Sequence, residues 1–401
     1  MSKKYRTSQG ALALWQKVCQ QQGFSSIELE AGQCSIVELT DPEMGLTTRG
    51  SGKGNTKAEA QISASYEAFE LLCCQRQSLR TDEQVESLTL HTIETNSFRL
   101  LGLPQHFCPE FLDKNNEYYA KPLPYLPFRQ EINGDPETAF MPMAAAEWSY
   151  ASSCSATMKN YYARYLFMAT TSGVASGLNY DDALVHGITE LIERDALAGF
   201  LIRHCLQRKP ASSLQTSNLS KEIRNIMARI QKNHRCDIEC FSMPNRYNIP
   251  AYISVANQQT TPWISGKGAS INREHALLRS LLETEEMLEY RRVYGQEEDQ
   301  KYQIACQQLQ EWPSLKPCID IDFIRSEEKE TFQDQPDSEQ PYNHNALRQL
   351  KTLLVHHGVK VWVNVVREES PVVLRVHMEG MDEFFAVKDG VPVMPLQSSF
   401  L

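Results

Sequence analysis

One spacing occurs three times in this chain, and it limits the fold more than composition does. Thr56, Asn179 and Asn272 each follow a serine- and glycine-bearing turn, and each can accept an orphan backbone N–H at the start of a helix. Four residues on, every copy has alanine (Ala60, Ala183, Ala276); seven on, it has a polar residue (Ser63, His186, Arg279). Eleven on comes glutamate (Glu67, Glu190, Glu283), and fourteen on glutamate again (Glu70, Glu193, Glu286). Steps of three and four keep these positions on one helix face. Three related helices are therefore expected, over 56–74, 180–204 and 273–291, each with a stripe of paired carboxylates.

A charged stripe on a single helix usually faces water. Here the first stripe is flanked by Ile62, Tyr66, Phe69 and Cys73, and the second by Leu184, Ile188, Leu191, Ile192 and Ala196. Helices so apolar are expected to be buried, and buried carboxylates need cations or hydrogen-bond donors. The third copy, with Glu285 and Glu286 in a more polar setting, reads equally well as a solvated face.

Magnesium takes oxygen ligands, often carboxylates together with substrate phosphates, so paired glutamates suit it. Lys53 and Lys267 lie in glycine-bearing turns before helix starts, 50–54 and 265–268, where an ammonium and backbone N–H groups suit phosphate. Arg194 follows Glu193, and Arg279 stands in the stripe; both offer forked donors to phosphate. Acids for metal and bases for phosphate together imply a metal–nucleotide site. The turns hold neither a Walker motif nor a strand–GxGxxG–helix fingerprint.

These residues resemble the YcaO family of peptide-backbone-modifying enzymes. The matches are Ser51-Gly52-Lys53-Gly54-Asn55-Thr56 with Ser63, Glu67 and Glu70; 171–177 with Ala183 and Glu190-Leu191-Ile192-Glu193-Arg194-Asp195; and Ala276 with Arg279-Ser280-Leu281 and Glu283. A weaker match is 375–380, where the family often has a proline–glycine pair. The resemblance implies ATP and Mg2+ as cofactors. It also implies Glu67, Glu70, Glu190, Glu193, Glu283 and Asp182 as magnesium ligands, although the family often has glutamate at the position of Asp182. By the same resemblance Ser63, Arg194 and Arg279 are phosphate contacts, with Arg194 and Arg279 catalytic, and Arg6 is an N-terminal basic contact; Lys53 and Lys267, from their place in the turns, join them as nucleotide contacts. His186 reads as a satisfied core histidine.

The implied reaction is activation of a backbone amide in a ribosomally made precursor peptide. Cyclodehydration of Cys, Ser or Thr to azolines is expected first; thioamide or amidine formation is the alternative, and a non-enzymatic ATP-binding accessory is a third reading. Azoline-forming members often end in PxPxP, with the terminal carboxylate near the active site. This chain instead ends Pro392-Val393-Met394-Pro395 and runs on to Leu401, whose carboxylate is the candidate base. No segment reads as a leader-peptide binder, so a separate leader-binding partner protein is expected. A flavin dehydrogenase is a further candidate partner, and a homo-oligomer a candidate assembly.

The remaining sequence bounds these expectations. A formal charge of −10 argues against a nucleic-acid or membrane-surface partner. Eleven cysteines without paired CxxC spacing, and an N-terminus without an apolar signal stretch, point to reduced thiols in the cytoplasm. Strands and helices interleave without a βα period, so the class is α+β, with one domain over 1–401. Within it, 1–48 reads as an N-terminal helix and strand, 49–290 as the nucleotide core, and 291–401 as a C-terminal segment. Proline-rich 121–143 reads as loops and edge strands, and acidic 326–343 as a mobile loop.

Overall fold

The structure, a computed structural model, describes residues 8–79, 86–102, 105–133, 137–257, 263–332 and 344–396. Arg6 and Leu401 lie outside them. The class is α+β: helices pack on three sheets of three, five and seven strands.

All three repeat helices form, and all three are capped as their sequences require. Thr56, Asn179 and Asn272 accept the backbone N–H of Glu59, Asp182 and His275 at the starts of Lys57–Ser78, Tyr180–Phe200 and Arg273–Gln308. Glu59 completes a capping box at the first. The third helix outruns its expected end at 291; it kinks at Tyr294 and continues to Gln308.

The glycine-bearing stretches are largely strands, which corrects the expectation of turns; only Ser172-Gly173 remain a turn, and Lys53-Gly54 follow the first strand. Leu46–Gly52, Val174–Gly177 and Ile264–Ala269 each pair at the edge of a different sheet. The physical reason is close approach. A Cβ on Gly52 would lie inside contact distance of Ala60 O, and one on Gly268 would do so against Ala276 O. Facing these glycines, each helix carries small residues four apart: Ala60, Ala64 and Ala68; Ala183 and Gly187; Ala276, Ser280 and Thr284. Strand and helix therefore meet almost backbone to backbone. That explains the alanine four residues after each cap, and it sets the carboxylates at a fixed height above the strand.

The second helix runs through the main core, where Leu184, Ile188 and Ile192 are fully buried. Each such side chain contributes about 1.5–3 kcal/mol on leaving water. Two further expectations are corrected. Leu123–Ile132 is an interior strand of the seven-stranded sheet, flanked on one side by Thr138–Pro142. On its other side Glu86–Leu88 pairs with 123–125 and Val361–Arg367 with 129–132, so Pro127 falls in the gap where no N–H is needed. Within the expected acidic loop, 326–330 belongs to the strand Arg325–Glu330, which pairs in parallel with Ala211–Leu214; its charges suit an exposed edge. Of the loop's remainder, Thr331 and Phe332 are irregular, with Phe332 buried, and 333–343 lies outside the described residues.

Candidate active site

The three strand–helix units close around one cavity of about 690 Å³. Each unit reaches the next through a side chain of the stripe. Glu70 of the first helix accepts the backbone N–H of Ser176 in the second unit, at 2.6 Å. Glu193 of the second helix lies 3.8 Å from Arg279 Nη2 on the third. Glu283 of the third helix pairs with Lys53 of the first unit, and with Lys267 of its own strand at 2.6 Å. These contacts form a ring.

Glu67, Glu70, Asp182, Glu190, Glu193 and Glu283 all line this cavity. So do Lys53, Ser63, Arg194, Lys267 and Arg279. Glu286 joins them; the stripe pointed to it, and a polar neighbourhood in the sequence hid it. The third helix does not face water, because Glu283, Glu285 and Glu286 are all buried. Glu285 pairs with Arg229 from the helix Lys221–His234, a neighbour 56 residues distant in sequence that local composition does not reveal. His186 also lines the cavity instead of being enclosed in the core; burial pushes it down to about 4.

Carboxyl groups outnumber cationic groups here. Six glutamates of the stripes face Lys53, Lys267, Arg194 and Arg279. Burial pushes Glu70 up to about 8 and raises Glu190 as well. Glu67 is raised well above the usual carboxylate range by burial and then by Glu286 and Glu70. Burial likewise raises Glu286. Glu283 is the exception: burial opposes its charge, but two ammonium groups outweigh it and hold the carboxyl low. Glu67 accepts from Ser51 N at 3.0 Å, while Glu193 Oε2 is buried with no hydrogen bond. Arg194 reaches Glu190 at 3.4 Å and stacks on Phe385, 4.8 Å from the ring centroid. No sequence signal pointed to Phe385.

Among the described residues, no three acidic, histidine or cysteine groups converge as a finished metal cage. That suits magnesium, which commonly takes one or two carboxylates and completes its shell with phosphates and water. The donors are hard oxygens, they are short of positive charge, and one carboxylate oxygen has no hydrogen bond. A divalent cation with a phosphate ligand fits them. Across the cavity, Ala11, Ile62, Tyr66, Leu71 and Leu178 give an apolar wall suited to a flat base.

Residues 51–381 match the family described as YcaO cyclodehydratase, ATP- and Mg2+-binding. The chain belongs to the YcaO family. A YcaO protein from Methanopyrus kandleri, solved with AMPPCP and Mg2+, shares the fold: TM-score 0.66, 17% identity, 98% of this chain and 95% of that one. A heterocyclase solved with substrate and cofactor gives TM-score 0.66 and 17% identity over 96% of this chain, but only 56% of its own length. An uncharacterised protein of Methanothermobacter thermautotrophicus is 25% identical over 255 residues, which is 62% of this chain and 59% of that protein. The chain thus spans little more than half the length of that curated relative. No helix among the described residues is long and apolar enough to cross a membrane. All eleven cysteines are free.

Proposed function

We propose that this YcaO protein uses ATP and Mg2+ to activate backbone amides of a precursor peptide, most directly for cyclodehydration of Cys, Ser or Thr to azolines. The observation that carries the reading is the charge pattern of the cavity: buried glutamates raised by burial beside four cations and an apolar wall. Glu67, Glu70, Glu190, Glu193 and Glu286 would hold magnesium, with Asp182 a further candidate ligand in the same wall. Magnesium there neutralises phosphate charge and orients the terminal phosphoryl group.

The chain's own residues do the rest. Arg194 and Arg279 present forked donors to phosphate oxygens, each already anchored to a glutamate. Lys53 and Lys267 are held by Glu283, which makes Glu283 an anchor for two ammoniums as well as a candidate metal ligand. Ser63, on the same stripe and in the cavity wall, is a further proposed phosphate contact. Phe385 keeps the Arg194 plane in position. Held in this way, the donors do not need to reorganise as charge develops, and this is the main source of catalysis in phosphoryl transfer.

The C-terminal segment supports a role for the tail. Leu396 N donates to Asp382 at 2.9 Å, Met394 O accepts from Gln105, and Asp382 N donates to Asp195, next to Arg194. Leu401 itself lies outside the described residues, and its carboxylate is proposed as the base. Arg6 remains the candidate N-terminal contact. A leader-binding partner protein, a flavin dehydrogenase and a cytoplasmic setting complete the proposal.

Mass spectrometry of a candidate precursor incubated with the protein, its partner, ATP and Mg2+ tests the reading. Loss of one water per modified residue supports azoline formation, and exchange of oxygen for sulfur would replace it by thioamidation. An unchanged peptide with no ATP consumed would overturn it.

A further inference from the structure

Arg194 lines the cavity, yet its own acid holds it loosely. It reaches Glu190 only at 3.4 Å, a long contact, and its Nε is buried with no hydrogen bond. Against the guanidinium plane lies the Phe385 ring, its centroid 4.8 Å away. A guanidinium meets phosphate as a fork, so its plane has to be set as well as its charge. Whatever fixes Phe385 therefore bears on Arg194.

Phe385 belongs to the 3-10 helix Phe384–Asp389, and Asp382 stands two residues before that helix. The Asp382 side chain is buried, and it accepts hydrogen bonds from the turn, from residue 105 and from the tail. Its Oδ1 takes Phe384 N at 2.9 Å and Gln105 Nε2 at 3.0 Å, and its Oδ2 takes Leu396 N at 2.9 Å. Asp382 N donates to Asp195 Oδ1 at 2.9 Å, and Asp195 follows Arg194 on the helix Tyr180–Phe200. The turn is thus fastened to residue 195 of that helix and lays its ring on residue 194. Gln105 closes the arrangement: its side-chain oxygen accepts Glu383 N at 3.0 Å, and its Nε2 also donates to Met394 O at 3.1 Å. Val393 is buried with Met168 and Ala386 of the same turn region. The tail stretch 393–396 therefore straps the turn, and its polar ties end on Asp382 and Gln105.

We propose that Asp382 is a positioning residue for Arg194: with 393–396 as its strap, it fixes the Phe385 ring and so the plane of the guanidinium that meets phosphate. The inference rests on the reading of Arg194 as a phosphate contact. It gives the tail a part in nucleotide binding that is separate from any role of the Leu401 carboxylate.

Calorimetry with Mg2+ and AMPPCP on the full chain tests it. Asp382→Ala should weaken affinity about tenfold, the scale of one hydrogen bond to a charged group. Asp382→Asn keeps an oxygen for Phe384 N and Gln105, so it should stay within about threefold of wild type. The same substitutions on an Arg194→Lys background decide the matter. Lysine has no plane to orient, so there Asp382→Ala should cost less than about twofold more. A merely structural aspartate would weaken both backgrounds alike. Leu396→Pro leaves Asp382 in place and removes the N–H that it accepts from the tail. It should give a smaller loss, also absent beside Arg194→Lys, and it carries the test if Asp382→Ala does not fold. Equal losses on both backgrounds, an Asn variant as weak as the Ala variant, or full affinity in folded Asp382→Ala and Leu396→Pro overturns the inference and leaves the proposed function standing. If Arg194→Lys itself leaves AMPPCP affinity unchanged, the phosphate role of Arg194 is removed and the inference falls with it.

Discussion

Without metal, the site should be strained by its own carboxylates, and Glu70 gives the sharpest measure. Its Oε1 accepts from Ser176 N, yet burial, with the nearby Glu190 adding to it, pushes the carboxyl from 4.5 up to about 8. The folded protein then keeps a proton that the unfolded chain has released. Measured against acid conditions, stability should fall as pH climbs from about 4.5 to about 8, and the full loss should be reached above that window. Each tenfold change in proton affinity is worth about 1.4 kcal/mol, so Glu70 alone accounts for at most about 5 kcal/mol. Glu70→Gln stays neutral, and its amide oxygen can still accept from Ser176. In urea unfolding with a chelator at pH 8, the variant should be about 2–4 kcal/mol more stable than wild type; at pH 4 the two should nearly coincide. With Mg2+ and AMPPCP at 100 times the dissociation constant, wild type should gain about 2.7 kcal/mol and the variant much less. A Glu70→Gln protein that is less stable than wild type at pH 8 without metal would refute the reasoning, because the carboxylate would then be satisfied by the protein alone.

Three other outcomes are expected. Glu193→Gln should lower nucleotide affinity at least about 30-fold by calorimetry, while circular dichroism stays unchanged; it removes a buried carboxylate oxygen that has no hydrogen bond and faces Arg279, at an energy of about 2 kcal/mol or more. Gly268→Ala should destabilise the fold by about 3 kcal/mol or more in thermal unfolding, since the new methyl meets Ala276 O. Deleting 398–401 should slow product formation much more than it weakens ATP binding; equal rates for the shortened and full chains would leave the tail without a catalytic part.

The periodicity of the site is more legible in the sequence than its surroundings are. Caps, stripes and the pairing of glutamates follow a spacing of three and four that helix geometry dictates, so the chain's own pattern suffices to place Thr56, Glu67, Glu190 and Glu283. The glycines mislead, because Gly50–Gly54 and 265–268 look the same whether glycine serves a turn or makes room for a helix. Only the facing ridge of Ala60, Ala64 and Ala68 distinguishes the two, and that pairing is tertiary. Glu285 with Arg229, Glu70 with Ser176 N, and Arg194 with Phe385 join segments tens to hundreds of residues apart. No local pattern encodes them, and a backbone amide such as that of Ser176 has no signature in composition at all.

Glu283 gathers Lys53 from 230 residues upstream. A contact that distant in sequence is among the last to close as a chain folds, because so much loop entropy must first be lost. Until it closes, the first and third units are separate walls, and no cleft exists for a nucleotide. A newly made chain that has folded its helices but not joined them would therefore offer no complete cavity, so the proposed ATP site exists only in molecules whose distant segments have already found each other.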